Sequence, residues 1–112
     1  METENSTMHF AHELVGQIKD GTKTFTYRLG DKYDFLQTGD QIDVVNSSNE
    51  RKFGKIEIIY KTKRLFKELP INQEGHESYD TEEEMRGVFG KYYGKKINDN
   101  EEFCVFEFRF IE

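Results

Sequence analysis

Apolar and polar positions alternate most strictly towards the end of the chain. From Phe103 to Ile111, Cys104, Phe106, Phe108 and Phe110 fall on one face and Phe103, Val105, Glu107 and Arg109 on the other, which predicts a long final strand. The same period of two runs through Lys23-Thr-Phe-Thr-Tyr-Arg28, where Phe25 and Tyr27 oppose Thr24, Thr26 and Arg28, and through Ile42 to Val45. It returns at Lys55 to Tyr60, with Ile56, Ile58 and Tyr60 together. Thr38-Gly39-Asp40 and Asn46-Ser-Ser-Asn49 are turns, and the second joins two of these strands as an antiparallel hairpin. Helical spacing predicts two helices. Leu14, Val15 and Ile18 carry the first, within Ala11 to Asp20 and stopped by Gly21. The second spans Thr81 to Tyr92, with Thr81 and Glu84 as a capping box, a stripe of Met85, Val88, Phe89 and Tyr92 assigned to the core, and Gly94 closing it. Leu65, Phe66 and Leu69 form a helical turn cut short by Pro70, and Asn72 to Asp80 is a polar loop around Gly75.

Strands outnumber helices, and no strand-helix-strand alternation announces a parallel sheet. The fold class expected is α+β: a small barrel or curled, mostly antiparallel sheet with two main covering helices. Residues 8–112 make one domain, and Met1 to Thr7, polar and aperiodic, form a flexible lead. At 112 residues there is no room for a second unit. Sixteen aromatic residues, 10 Phe and 6 Tyr, argue against disorder. No apolar window is long enough for a membrane span or a secretory signal, so a cytoplasmic location is expected. The single Cys104 excludes an intramolecular disulfide and a multi-thiolate zinc site. With 16 basic against 22 acidic residues the net charge is -6, which opposes binding to extended duplex DNA but leaves a small ligand or a short nucleic-acid segment open. The sequence does not disclose the oligomeric state.

Chemistry concentrates after Gly21, where a helix ends and Lys23, Thr24, Thr26 and Arg28 emerge together. Threonine suits strands and the two cations suit an outer face, so the bland alternative is a solvated sheet surface. Strict alternation puts Lys23 opposite Thr26; the turn-like Gly21 and Thr22 resolve this by placing Lys23 before the true strand. His76 sits between Glu74 and Glu77 in the polar loop, either as a ligand contact or as plain solvated loop. Tyr27, Tyr33 and Phe35 offer rings for stacking a base. His9 and His12 lack a third ligand and are assigned to the surface or a helix cap; Cys104 is a small buried hydrophobe, and Glu82 to Glu84 favour the positive end of a helix. No metal or other cofactor is expected.

Four landmarks in order, Gly21-x-Lys23-Thr24-x-Thr26-x-Arg28 after a short helix, Thr38-Gly39-Asp40 before a strand, Glu74-Gly75-His76 before a helix, and a closing Phe106-Glu-Phe108 strand, resemble the ASCH family from about His9 to Ile111. The resemblance implies a PUA-like β-barrel with a ligand cleft between the Lys23 to Arg28 strand and the Glu74 to Tyr79 loop. It also implies recognition of RNA or a modified nucleoside, and one small branch of that family hydrolyses the acetyl amide of N4-acetylcytidine. Carried over, the lysine base falls on Lys23, the threonine nucleophile on Thr26 and the glutamate on Glu74, with Glu77 the alternative; Thr24, Arg28, His76 and Tyr27 become ligand-binding candidates. The chemistry is coherent, because a desolvated lysine loses its proton near neutral pH and activates a hydroxyl that is a weak nucleophile alone.

Overall fold

The computed structural model describes residues 7–112. Five strands, β1 (Thr7–Phe10), β2 (Phe25–Leu29), β3 (Gln41–Asn46), β4 (Arg51–Leu65) and β5 (Glu102–Phe110), form one curled sheet in the order β1-β3-β4-β5-β2. Every pairing is antiparallel except β1 with β3, which is parallel. The helices are α1 (Val15–Lys19), extended backwards by a 3-10 turn at His12–Leu14, and α2 (Glu82–Tyr93). The architecture is therefore the α+β half-barrel with two helices that the periodicity predicts.

Because β5 is apolar on both faces, it sits between two cores. Cys104, Phe106 and Phe108 face the concave side, with Met8, Phe10, Ile18, Tyr33, Leu36, Val44, Ile56 and Ile58. Phe103 and Val105 face α2, which sets Met85 and Phe89 against them together with Tyr27, Phe66 and Ile97. The cap of α2 forms as expected at Thr81, whose Oγ1 accepts from Glu84 N at 3.0 Å. The Glu84 carboxylate reaches back one residue further than a regular capping box, to Asp80 N at 2.7 Å. Gly94 ends the helix in the left-handed region at φ 69°.

Three expectations change. The stripe of α2 does not lie wholly in the core: Met85 and Phe89 are buried, but Val88 is 45% and Tyr92 62% exposed, since the rotation that points the first pair at β5 leaves the second pair on the flank. A register shift between Ile58 and Tyr60, where β4 meets β5, breaks the period of two, so Ile56 and Ile58 stay inside while Tyr60 turns out. And β1 begins at Thr7, the last residue assigned to the lead, because Met8 and Phe10 alternate inward beside β3; the rest of that lead lies outside the described residues. Among the described residues, no helix is long and apolar enough to cross a membrane.

Candidate functional site

The chain doubles back between α1 and β2. Gly21 takes φ 85°, Asp20 Oδ1 accepts from Thr22 N at 2.8 Å, and Lys23 N donates to Gln17 O at 3.0 Å. Strand pairing starts only at Phe25, so Lys23 precedes the strand and is free of its alternation. Its side chain turns inward and is 3% exposed. Within β2, Thr26 and Arg28 share a face, and Thr26 is 5% exposed. The opposite parity sends Tyr27 into the core under α2.

The loop before α2 is pinned across the start of β2. Thr24 N and Phe25 N both donate to Gly75 O, at 2.8 and 3.0 Å. Gly75 has φ 91°, and a Cβ there would strike Thr24 Oγ1, so this crossing admits only glycine. Beyond it, His76 stacks on Tyr27 with centroids 4.0 Å apart and planes 15° from parallel. Glu77 then turns its carboxylate towards Lys23, Oε2 lying 2.9 Å from Nζ.

These segments line one cavity of about 160 Å³, bordered by Lys23, Thr26, Tyr27, Arg28, His76 and Glu77, with aromatic and apolar walls from α2 and from β1. Lys23 Nζ donates to Phe25 O at 2.8 Å and pairs with Glu77. Glu77 Oε2 is buried and, beyond its ion pair with Lys23, makes no well-directed hydrogen bond among the described residues. Thr26 Oγ1 accepts from Arg28 Nε at 3.0 Å, which leaves its own proton to give, while Arg28 Nη2 donates to His9 O at 2.8 Å. No hydrogen bond joins Lys23 to Thr26 among the described residues.

Burial dominates the electrostatics. It pushes the Lys23 amine below its usual range; the Glu77 carboxylate opposes that shift, and the Arg28 charge adds to it. His76 is held neutral, its pKa down to about 4, first by burial and then by Lys23. The Tyr27 and Tyr79 phenols are both driven up by burial, Tyr79 to about 12, and stay protonated near Glu77.

The sequence candidates are sorted by this geometry. Lys23, Thr26, Arg28, His76 and Tyr27 meet at the cavity, although Tyr27 has one ring face covered by His76. Glu74 does not meet them: it lies exposed on the outer side of the loop, and Glu77 takes the position beside Lys23 because Gly75 turns the chain between the two. Thr24 is absent from the lining, since its hydroxyl packs against Gly75. His76 is not a solvated loop residue, its side chain being 4% exposed. Tyr33 is buried and Phe35 lies exposed away from the cavity. Val88, Tyr92 and Tyr93 of α2, and His9 with Phe10 of β1, are walls that the candidate list missed. Val88 and Tyr92 belong to the stripe that periodicity assigns to the core, and nothing in that pattern marks them or Tyr93 as cavity walls.

No group of His, Cys, Asp and Glu among the described residues is arranged to hold a metal ion. His9 instead meets Glu50 at 3.1 Å, and His12 meets the Asn46 amide at 2.9 Å.

The fold is shared with solved structures. The chain is similar to protein EF3133 from Enterococcus faecalis V583, of the DUF984 family, at 15% identity and TM-score 0.70 over 89% of this chain and 71% of that one. It is similar to an ASCH domain from Lactobacillus crispatus JV V101 at 15% identity and TM-score 0.68, over 98% and 86% respectively. A hypothetical protein, PH0355, is 20% identical with TM-score 0.68, over 94% of this chain and 97% of that one. The three-dimensional fold is thus that of an ASCH domain, as the spacing of the four landmarks implied. No protein-family model and no curated protein matches the sequence.

Proposed function

We propose that the cavity binds a nucleobase-sized ligand carrying an acyl amide and hydrolyses that amide, with Thr26 as nucleophile, Lys23 as base and Glu77 as its proton partner. One observation carries the proposal: an amine, a hydroxyl and a carboxylate border a single cavity of about 160 Å³, the first two almost fully withdrawn from water. That volume falls below the roughly 300–1,000 Å³ of pockets for drug-sized ligands and suits one ring and its acyl substituent. A surface for extended RNA would not need to bury a lysine beside a glutamate.

The Lys23–Glu77 pair holds one proton between two groups. In the reactive form Lys23 is the free amine, the state towards which its burial acts, and the proton of the pair is carried by Glu77. Nζ then turns from Phe25 O to the Thr26 hydroxyl. Oγ attacks the acyl carbon as its proton passes to Lys23. The carbon–nitrogen bond breaks, its electron pair stays with the leaving nitrogen, and Glu77 supplies that nitrogen's proton. Water attacks the threonine ester, the carboxylic acid departs, and the hydroxyl and the shared proton are restored. Arg28, whose Nε–H already bonds Thr26 Oγ1, stabilises that oxygen as its proton leaves, before the charge passes to the acyl oxygen.

Incubation with N4-acetylcytidine, followed by proton NMR, should show acetate release that Thr26→Ala abolishes and Lys23→Met lowers by at least about a hundredfold. Saturable binding without release by the wild type would leave a recognition pocket for modified nucleosides and remove the hydrolytic reading.

A further inference from the structure

A second hollow of about 190 Å³ adjoins the first and shares His9, Arg28, Tyr92 and Tyr93 with it, adding Leu29, Lys32 and Tyr33. Its charge balance differs from that of the molecule. Among the described residues the half-buried Arg28 guanidinium is held by neutral acceptors alone, Thr26 Oγ1 and His9 O, and by the Phe10 ring, 4.6 Å from its carbon. Among the described residues no carboxylate lies within ion-pair distance of Arg28 or Lys32. Lys32 Nζ stands 5.5 Å from the Tyr33 centroid, on the same ring that Arg28 approaches at 5.7 Å. Glu50 meets the His9 imidazole at 3.1 Å and neither of the two cations. In a chain of net charge -6, two cations flank one hollow with no ion-pair partner among the described residues. A desolvated cation held by neutral acceptors alone favours an incoming anion.

We propose that this second hollow is a phosphate subsite, so that the ligand of the main cavity is a nucleoside monophosphate rather than a free nucleoside. The proposal rests on the nucleobase reading of the main cavity and names the substrate class for it. Arg28 borders both hollows, so a base set against Lys23, Thr26 and Glu77 extends its sugar past Arg28 and brings a terminal phosphate to Lys32. The Nη1 edge of Arg28, which has no hydrogen-bond partner among the described residues, and the Lys32 ammonium then clamp the phosphate from two sides. Tyr92 and Tyr93, with rings edge to face at 4.9 Å, wall the passage between the hollows.

Isothermal titration of the full chain at low salt with N4-acetylcytidine, with its 5′-monophosphate and with inorganic phosphate alone tests the proposal. The monophosphate should bind about tenfold or more tightly than the nucleoside. That ratio should shrink towards one in Lys32→Gln and as salt is raised. Equal or weaker binding of the monophosphate, with the nucleoside still bound, would overturn the subsite and leave the main cavity's role intact. If neither nucleoside form binds, the nucleobase reading fails, and phosphate alone decides: shifts of the Arg28 and Lys32 resonances that Lys32→Gln removes would uphold an anion site, and their absence would end it.

Discussion

Lys23 shows how much one residue costs and why the cost is tolerated. A lysine side chain withdrawn from water is destabilising unless paired, and a buried ion pair seldom repays its desolvation. Lys23→Met combined with Glu77→Leu, which removes both charges and so strands neither, is therefore predicted to melt at the same temperature as the wild type or higher, while acetate release is lost. A lower melting temperature would mean that the pair serves stability instead. His76 makes the complementary case through pH. Its folded pKa of about 4 lies below the unfolded value of 6.5, so the unfolded chain takes up a proton first as pH falls. The neutral imidazole's contribution is whole above pH 6.5 and drains away between 6.5 and 4, by up to about 3 kcal/mol. Urea titrations at pH 7 and pH 4.5 should show that loss in the wild type and much less of it in His76→Phe, which keeps a ring on Tyr27.

At the scale of elements, the site is made by a loop laid across a strand end. The β2 strand was readable from its alternation, and so was the escape of Lys23 from it, because Gly21 and Thr22 have turn chemistry. The choice between Glu74 and Glu77 was not readable, since both are acids in one polar loop; only the crossing at Gly75, fixed by two hydrogen bonds from β2, turns one outward and the other to Lys23. The exposed flank of α2 was hidden for a similar reason: periodicity gives an apolar face but not the rotation at which a helix docks. Gly75→Ala tests the crossing directly. Positive φ and the approach of Thr24 Oγ1 both oppose a methyl group there, so destabilisation of about 1–3 kcal/mol is expected, with loss of acetate release. Urea denaturation together with acetate NMR measures both, and a stable, fully active Gly75→Ala protein would show that the loop does not hold the site.

The whole molecule is a sheet with two cores and one chemically loaded edge. Strict alternation in β5 wrote both cores into the sequence, Phe106 and Phe108 for the concave side and Phe103 and Val105 for α2, and that duality is why a five-stranded sheet suffices. The bulge in β4 was illegible, because it depends on the register of β4 against β5 rather than on either strand alone. Curling sets the end of β1 beside β2, where Arg28 reaches His9 O, and so encloses the cavity between that edge and α2. The central claim is that this enclosure exists for covalent chemistry at Thr26. Rapid quenching of the wild type with excess N4-acetylcytidine, followed by peptide mass spectrometry, examines it most directly. The account predicts one acetyl group on the Thr26 hydroxyl, absent from Thr26→Ala, which should also release no acetate; acetate release by Thr26→Ala at the wild-type rate, with Thr26 unmodified in the quenched wild type, would contradict it.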